Sequence, residues 1–169
     1  MKYKSLGITV LLTAFAGSAL AQTHVSGTCK SGKADSTTQS IEVGDQPSHM
    51  LVLQKTTCNW SVPFEMAGLK STTATIAEAV DVTGAKFADR GYVVISMENG
   101  DKVHGRFQGM SSVKEGATGE GTWSYTGGTG KLKGVKGKGT WKSSGTPDSG
   151  EFQVEGDYSL PEPGGTAKK

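Results

Sequence analysis

Apolar and polar residues alternate with a period of two over much of the chain, and the pattern is clearest near its middle. Residues 91–97 read as a buried strand, and residues 102–110 read as its partner. Asn99 and Gly100 lie between them, and both residue types tolerate positive φ. The pattern therefore predicts a β-hairpin with a type I′ turn.

Strand character extends to the rest of the chain, and no segment has a clear helical period. The stretch 71–82 contains Ala and Glu, which favour a helix, but its threonines and the lack of a 3.6-residue period favour a strand. Turn-rich clusters lie at 127–130 and 143–150. The other predicted strands are 24–29, 48–60, 117–125, 131–142 and 151–160. About eight short strands with glycine-rich turns indicate an all-β fold, either a closed antiparallel barrel or a sandwich.

A short motif occurs twice. Residues 119–123 read GEGTW, and residues 137–141 read GKGTW. Two copies are too few for a solenoid of stacked repeats. The offset instead predicts two neighbouring antiparallel strands in equivalent positions, with the glycines at bulges or at points of tight coiling.

Residues 1–21 have the three parts of a secretory signal peptide: two lysines near the start, a short apolar stretch and an ending of small residues. The apolar stretch is shorter than the roughly 20 residues that a membrane-spanning helix needs. An uncleaved anchor is the alternative, and the small residues before the cleavage point argue against it. The prediction is a periplasmic or secreted protein with a barrel domain over 22–160, a flexible tail over 161–169 and no transmembrane segment after signal removal.

Loss of the signal peptide changes the charge balance. The full chain has 18 Lys and Arg against 16 Asp and Glu, and the two surplus lysines, Lys2 and Lys4, lie in the signal peptide. The mature chain is therefore neutral overall. Because neutralising phosphates requires a positive excess or a dense positive face, this composition argues against a nucleic-acid partner.

Cys29 and Cys58 both lie in the mature part of the chain. An even number of cysteines in an exported chain predicts a disulfide bond. Closing a loop of about 30 residues stabilises a fold by roughly 3–4 kcal/mol in the chain-entropy model. Two free thiols or a metal pair are the alternatives, and the lack of a C-x-x-C motif makes a zinc or redox role a poor fit.

Residues 126–142 read TGGTGKLKGVKGKGTWK. This stretch resembles the Gly-Gly-Thr-Gly-(Lys/Arg) signature of the allene oxide cyclase-like barrels, a calycin-type family that includes the dirigent proteins. In that family the segment is a turn followed by a twisted barrel strand. The resemblance implies a single closed or nearly closed antiparallel β-barrel of about eight strands with an internal cavity. No catalytic set of that family aligns with residues of this chain, so the resemblance implies architecture and no activity.

Bulky and acidic side chains on the predicted strands are candidates for ligand contacts inside such a barrel. Trp123 and Trp141 either fill the interior or line a cavity, because a barrel of about eight strands is just wide enough for one small ligand. Tyr92 and Tyr125 are further candidates. Glu78 shares a strand face with apolar residues, so its pKa is raised if that face is the lumenal one, whereas a register slip of one residue turns it to water.

Five lysines form a basic cluster on one predicted strand: Lys131, Lys133, Lys136, Lys138 and Lys142. The first two fall on one face of that strand and the last three on the other. The functional interpretation is an anion-binding surface for an acidic envelope polymer. The structural interpretation, which we favour, is a solvated outer face that discourages edge-to-edge pairing.

The sequence contains no motif for catalysis or for binding a cofactor. His24, His49 and His104 lack the spacing of a metal site, and no G-x-S-x-G elbow provides a nucleophile for a triad. We therefore predict no metal and no cofactor. Whether the protein is an enzyme stays open, with a non-enzymatic role favoured.

Three functions follow from these observations. The leading hypothesis is an exported, non-enzymatic barrel that binds a small apolar ligand or an envelope partner. The first alternative is a cyclase- or dirigent-like enzyme with a lumenal acid and aromatic site, and the second is a structural envelope protein that binds anionic polymer. The lumen separates them: a cavity with an inward Glu78 favours the enzyme, and a filled lumen removes the first two.

Overall fold

The computed structural model describes residues 22–113, 116–146 and 148–161. The predicted signal peptide at 1–21 lies outside these ranges, as does the predicted tail except Pro161. The described chain is almost entirely strand, with 3-10 turns at Lys33–Asp35 and Gly130–Leu132. The strands are β1 (Thr23–Gly32), β2 (Ser36–Glu42), β3 (His49–Val62), β4 (Glu65–Met66), β5 (Leu69–Thr83), β6 (Lys86–Met97), β7 (Lys102–Ser112), β8 (Ala117–Gly128), β9 (Lys136–Thr146) and β10 (Ser149–Ser159).

One antiparallel sheet closes on itself. Neighbours around the ring are β1, β10, β9, β8, β7, β6, β5 and β3, and pairing of β3 with β1 completes it. The fold is therefore a closed antiparallel barrel of eight strands, as predicted. β2 continues from β1 after a 3-10 turn and pairs with the first half of β3, while β4 pairs with the start of β5.

Two local strand predictions are wrong. Residues 131–135 do not form the start of a strand, because the chain there makes a 3-10 turn that buries Leu132 and Val135, and β9 begins only at Lys136. β2 is missing from the predicted strands. Almost all of its residues are exposed, and all but one are polar. The sequence of β2 therefore lacks the alternation of apolar and polar positions that predicts a strand.

The predicted hairpin between β6 and β7 is present, but its turn is not type I′. The Gly100 N–H donates to the Met97 carbonyl at 2.9 Å, so Glu98 and Asn99 are the central residues, and neither has positive φ. Gly100 follows them with a φ of 87°. Asn99 holds the turn through its side chain, whose Oδ1 accepts a hydrogen bond from the Asp101 N–H at 3.0 Å. A side-chain bond of this kind stabilises a turn without requiring left-handed backbone at the asparagine.

The two GxGTW segments lie on the neighbouring strands β8 and β9, as predicted. Trp123 stands opposite Gly139, and Gly121 stands opposite Trp141. A Cβ on Gly121 would lie 2.6 Å from Trp141 Nε1, and a Cβ on Gly139 would lie 2.5 Å from Cζ2 of Trp123. These glycines therefore leave room for indole rings of the neighbouring strand. The pairing of β8 with β9 is regular, so they do not lie at bulges, which were one of the two predicted roles.

The two ends of the barrel differ in what occupies them. One end, here called the plugged end, contains the connections 63–68, 98–101 and 129–135. Buried, mostly apolar side chains close this end: Phe64, Met66, Leu69, Met97, Val103, Leu132, Val135 and Tyr158. The opposite end, here called the serine-rich end, is lined mainly by small polar residues: Ser36, Ser111, Ser112, Thr118, Ser143 and Ser149. The densest packing therefore lies toward the plugged end.

A disulfide bond joins Cys29 on β1 to Cys58 on β3, as predicted, and both residues are buried. The contact between β1 and β3 is the shortest in the ring, with three residue pairs and a register shift between Thr28 and Cys29. The disulfide therefore fastens the barrel where backbone pairing is weakest.

Candidate functional site

A cavity of about 830 Å³ occupies the barrel interior and extends to the serine-rich end. Its volume lies in the range of small-molecule sites, roughly 300–1,000 Å³. All eight strands of the ring contribute to its wall. Aromatic rings supply much of the apolar lining: Trp60, Phe87, Phe107, Trp123, Tyr125, Trp141 and Phe152. The bulky residues therefore line the interior without filling it.

Trp123 and Trp141 are fixed against the wall of the cavity. The Trp123 indole N–H donates to the Thr140 carbonyl at 3.0 Å, and the Trp141 indole N–H donates to the Gln108 carbonyl at 3.3 Å. Trp141 also packs edge to face with Phe107, with ring centroids 6.1 Å apart. Because the rings rest on glycines and bond to backbone, they form a rigid apolar face, which we call the aromatic face.

Tyr125 extends the aromatic face toward the plugged end. Its ring centroid lies 4.5 Å from that of Trp123. Burial raises the pKa of the Tyr125 phenol, and the neighbouring Tyr158 raises it further. Tyr125 therefore stays protonated and adds no charge to the cavity at neutral pH.

A row of polar side chains, here called the polar belt, crosses another part of the wall. The Thr56 hydroxyl lies 2.9 Å from the Ser36 hydroxyl and accepts a hydrogen bond from the Gln54 amide at 3.0 Å. Gln54 in turn stands opposite Glu78 on β5. The belt consists of Ser36, Gln54, Thr56, Glu78, Asp89 and Ser111, all of which line the cavity.

Glu78 and Asp89 bring two carboxyl groups onto the same stretch of the polar belt. Glu78 stands opposite Gly91, and Asp89 precedes Gly91 by two residues, so the two acids are diagonal neighbours on the inner face. The Ser111 hydroxyl donates a hydrogen bond to Asp89. No described residue donates one to Glu78.

Burial controls the ionisation of both acids. Desolvation raises the pKa of Glu78 to about 7, and the nearby Asp89 charge adds to this effect. Desolvation also raises the pKa of Asp89, while the hydrogen bond from Ser111 works in the opposite direction. Glu78 is therefore inward, with the raised pKa expected for a carboxyl in an apolar lumen, and it exchanges its proton near neutral pH.

Tyr92 is the one predicted lumenal residue that the structure places elsewhere. Its side chain is 69% exposed and lies on the outer surface. The cause is strand alternation: Val93, the next residue along β6, lines the cavity, so Tyr92 points outward. The predicted lumenal contact of Tyr92 is therefore wrong, whereas Glu78, Trp123, Tyr125 and Trp141 all line the cavity.

The predicted lysine cluster lies on the outside and does not form one strand face. Lys131 and Lys133 are exposed in and after the 3-10 turn, and Lys136, Lys138 and Lys142 are exposed along β9. Acidic residues flank the strand, since Asp157 stands opposite Lys138 and Glu120 stands opposite Lys142. The outer face of β9 is therefore of mixed charge.

The histidines do not gather into a site. His49 lies outside the barrel between two aspartates: its Nδ1 contacts Asp45, and its Nε2 lies 3.0 Å from Asp81 Oδ1. The hydrogen bond to Asp45 is the main cause that raises the pKa of His49. Among the residues that the structure describes, no group of three or more His, Cys, Asp or Glu side chains is placed to hold a metal ion.

Asp89 and Ser111 are cavity residues that the sequence analysis does not single out. The signal for Asp89 is present, because Phe87, Asp89, Val93 and Ile95 alternate along β6 and share one face. A polar residue at an inward position of such a strand marks either a register error or a functional group. Ser111 carries no comparable signal, since serine is common at strand ends.

No protein-family model matches the chain, and a search of curated proteins gives no match. Within the described ranges, no helix combines the length and apolar character needed to cross a bilayer. The cavity geometry therefore carries the functional argument alone.

Proposed function

We propose that this protein binds one small, mainly apolar ligand inside its barrel. The observation that carries the proposal is the cavity of about 830 Å³ with a rigid aromatic face. A pre-formed apolar cavity with a few polar groups is the usual form of a small-molecule site, because little ordering entropy is lost when the ligand enters. No catalytic triad, metal cluster or cofactor motif among the described residues points to a reaction.

Export is part of the proposal. The Cys29–Cys58 disulfide is of the kind that persists in oxidising compartments such as the periplasm or the extracellular space. The signal-peptide pattern at 1–21 agrees with that environment. We therefore propose a ligand carrier or scavenger of the envelope or the medium.

A cavity-blocking substitution tests the binding proposal. N-phenylnaphthylamine is a neutral apolar probe whose fluorescence rises in apolar surroundings, and the mature chain should enhance it with saturable, one-site behaviour. Val52 lines the cavity, whereas its neighbour Leu53 is 58% exposed on the outside of the same strand. Val52→Trp should abolish the enhancement, and Leu53→Trp should leave it unchanged. Equal binding by both variants would place the probe outside the barrel and contradict the proposal.

A cyclase- or dirigent-like enzyme is the second candidate. It is favoured by the inward Glu78, whose pKa of about 7 suits a general acid or base. The two candidates differ in what the protein carries when purified from its native cells. If the protein is a carrier, mass spectrometry of co-purified compounds should find on Glu78→Gln either the wild-type ligand, at equal or lower occupancy, or no ligand. An enzyme should accumulate a different compound, its substrate, on the variant.

The envelope-polymer alternative has less support. Binding a polyanion needs a dense positive face, and Asp157 and Glu120 interrupt the lysines of β9. The likeness to allene oxide cyclase-like barrels, which rests on residues 126–142, remains our proposal about ancestry and brings no activity with it.

A further inference from the structure

We infer that the ligand carries a protonated amine, which binds at Glu78 and Asp89 while its apolar body packs on the aromatic face. The inference rests on the proposed function and adds the chemical class of the ligand to it.

Within the part of the chain that the structure describes, the carboxyl groups of the polar belt lack a cationic partner. The strands packed around them contribute neutral groups, namely Gln54 from β3 and Ser111 from β7. Among the described residues, Lys33 is the one basic side chain that lines the cavity, and it lies at the serine-rich end with its Nζ 4.0 Å from Asp148. A carboxyl group away from bulk water either takes up a proton or is charged beside a cation, so a cation from outside the chain would stabilise the charged form of these acids.

Glu78 also lacks a hydrogen-bond donor. No described residue donates to its carboxyl group, which lines the cavity. A carboxylate accepts several hydrogen bonds, and a protonated amine donates up to three. An amine inside the cavity would therefore meet an acceptor that the described residues leave free.

An aromatic ring stands beside the acids. A Cβ on Gly91 would lie 2.8 Å from Cζ of Phe107 and 2.9 Å from Cα of Glu78, so the tip of the Phe107 ring sits over Gly91 next to the Glu78 backbone. Carboxylates beside an aromatic ring attract ammonium groups by charge and by cation–π contact. The same wall repels an anionic ligand.

Ionisation gives the inference a pH signature. The pKa of Glu78 is about 7, so a bound cation favours its charged form and the affinity rises as the pH increases from about 6 to about 8. Asp89 strengthens the attraction, Tyr125 stays neutral and Lys33 lies apart at the serine-rich end. A neutral ligand of the same shape shows no such rise.

Three probes with one aromatic body test the inference: naphthylethylamine, naphthylethanol and naphthylacetate. Titration calorimetry with the mature chain at about pH 8 should show the amine binding at least about tenfold more tightly than the alcohol, with the acetate weakest. Glu78→Gln should remove the advantage of the amine and its pH dependence, while leaving the affinity for the alcohol intact. Glu120→Gln, which removes an exposed carboxyl from the outside of β8, is the matched control.

The outcomes separate this inference from the proposed function. Equal affinity for amine and alcohol, or an amine affinity that Glu78→Gln leaves unchanged, overturns the amine class and leaves the cavity proposal standing. Failure of the amine while N-phenylnaphthylamine still binds does the same. Failure of every probe, including N-phenylnaphthylamine, overturns both.

Discussion

The plugged end and the serine-rich end are built from the same strands, yet one is packed and the other is hollow. On β7 the inward residue is Val103, fully buried, at the plugged end and Ser111 at the serine-rich end. On β10 the change is from Tyr158, which is buried, to Gly150, which lines the cavity. At the serine-rich end of these two strands the inward side chain is therefore smaller than at the plugged end, which leaves room for the cavity.

This difference in packing means that one end of the barrel contributes most to stability, whereas the other end is available for ligand binding. Apolar burial, which supplies most of the folding free energy, concentrates at the plugged end. The serine-rich end contributes less packing, so its lining can carry buried acids that would be too costly in a filled core. Substitutions that compare the two ends test this division.

The largest expected effect is loss of packing at the plugged end. Leu132 is fully buried, so Leu132→Ala should lower the free energy of unfolding by about 3 kcal/mol, because it leaves a cavity that cannot collapse.

Two valines, one at each end, allow the same atoms to be removed from both. Val135→Ala at the plugged end should lower the free energy of unfolding by about 2 kcal/mol, and Val82→Ala on the cavity wall should lower it by less than about 1 kcal/mol. Urea unfolding followed by tryptophan fluorescence measures all three. Equal losses for the two valines would show that the ends do not differ.

A smaller effect is expected at the boundary between the ends, where the indoles sit. A Cβ on Gly121 would meet the Trp141 ring and backbone of β7, so Gly121→Ala should destabilise by about 1–3 kcal/mol through overpacking. Gly127 lies on the same strand with nothing within 4 Å of its would-be Cβ, so Gly127→Ala should change the unfolding free energy by less than about 0.5 kcal/mol. If Gly121→Ala left both the unfolding free energy and the tryptophan emission unchanged, the Trp141 ring would not require a glycine at position 121.

The sequence predicts the barrel well because its evidence is local and repeated. Strand alternation, the turn residues and the cysteine pair each point to the same architecture, and the GxGTW repeat identifies β8 and β9 as neighbours. What the repeat does not reveal is why the glycines are there. Their role depends on contact between Trp123 and a glycine on the next strand, and such contacts exist only after pairing.

The site is predicted less completely, because the sequence does not show which strand face points inward or where a turn replaces a strand. One residue of register decides whether Glu78 or its neighbour faces inward, and the sequence leaves that choice open. The same rule turns Tyr92 outward. The pattern predicts a strand at Lys131 and Lys133, whereas the chain forms a 3-10 turn there with Leu132 buried. Tertiary packing, which has no signature in local pattern, decides each case.

The smallest expected effect concerns Glu78, the half-buried acid on the cavity wall. Burial raises the pKa of Glu78 from 4.5 to about 7. The unfolded chain therefore releases this proton at lower pH than the folded chain does. The associated stability is complete below the unfolded pKa and is lost as the pH rises to about 7 and above.

Glu78→Gln cannot ionise, so it should be more stable than wild type at about pH 8 and similar to it at about pH 4. The full pKa change corresponds to about 3 kcal/mol, and we expect roughly half of this because the carboxyl faces the cavity. Urea unfolding of both proteins across this pH range measures the difference. Glu120→Gln, which removes an exposed carboxyl from the outer surface of β8, is the control for the loss of one acidic group. If Glu78→Gln behaved like Glu120→Gln, Glu78 would be solvated like a surface acid, and the hollow end would not be apolar enough to perturb it.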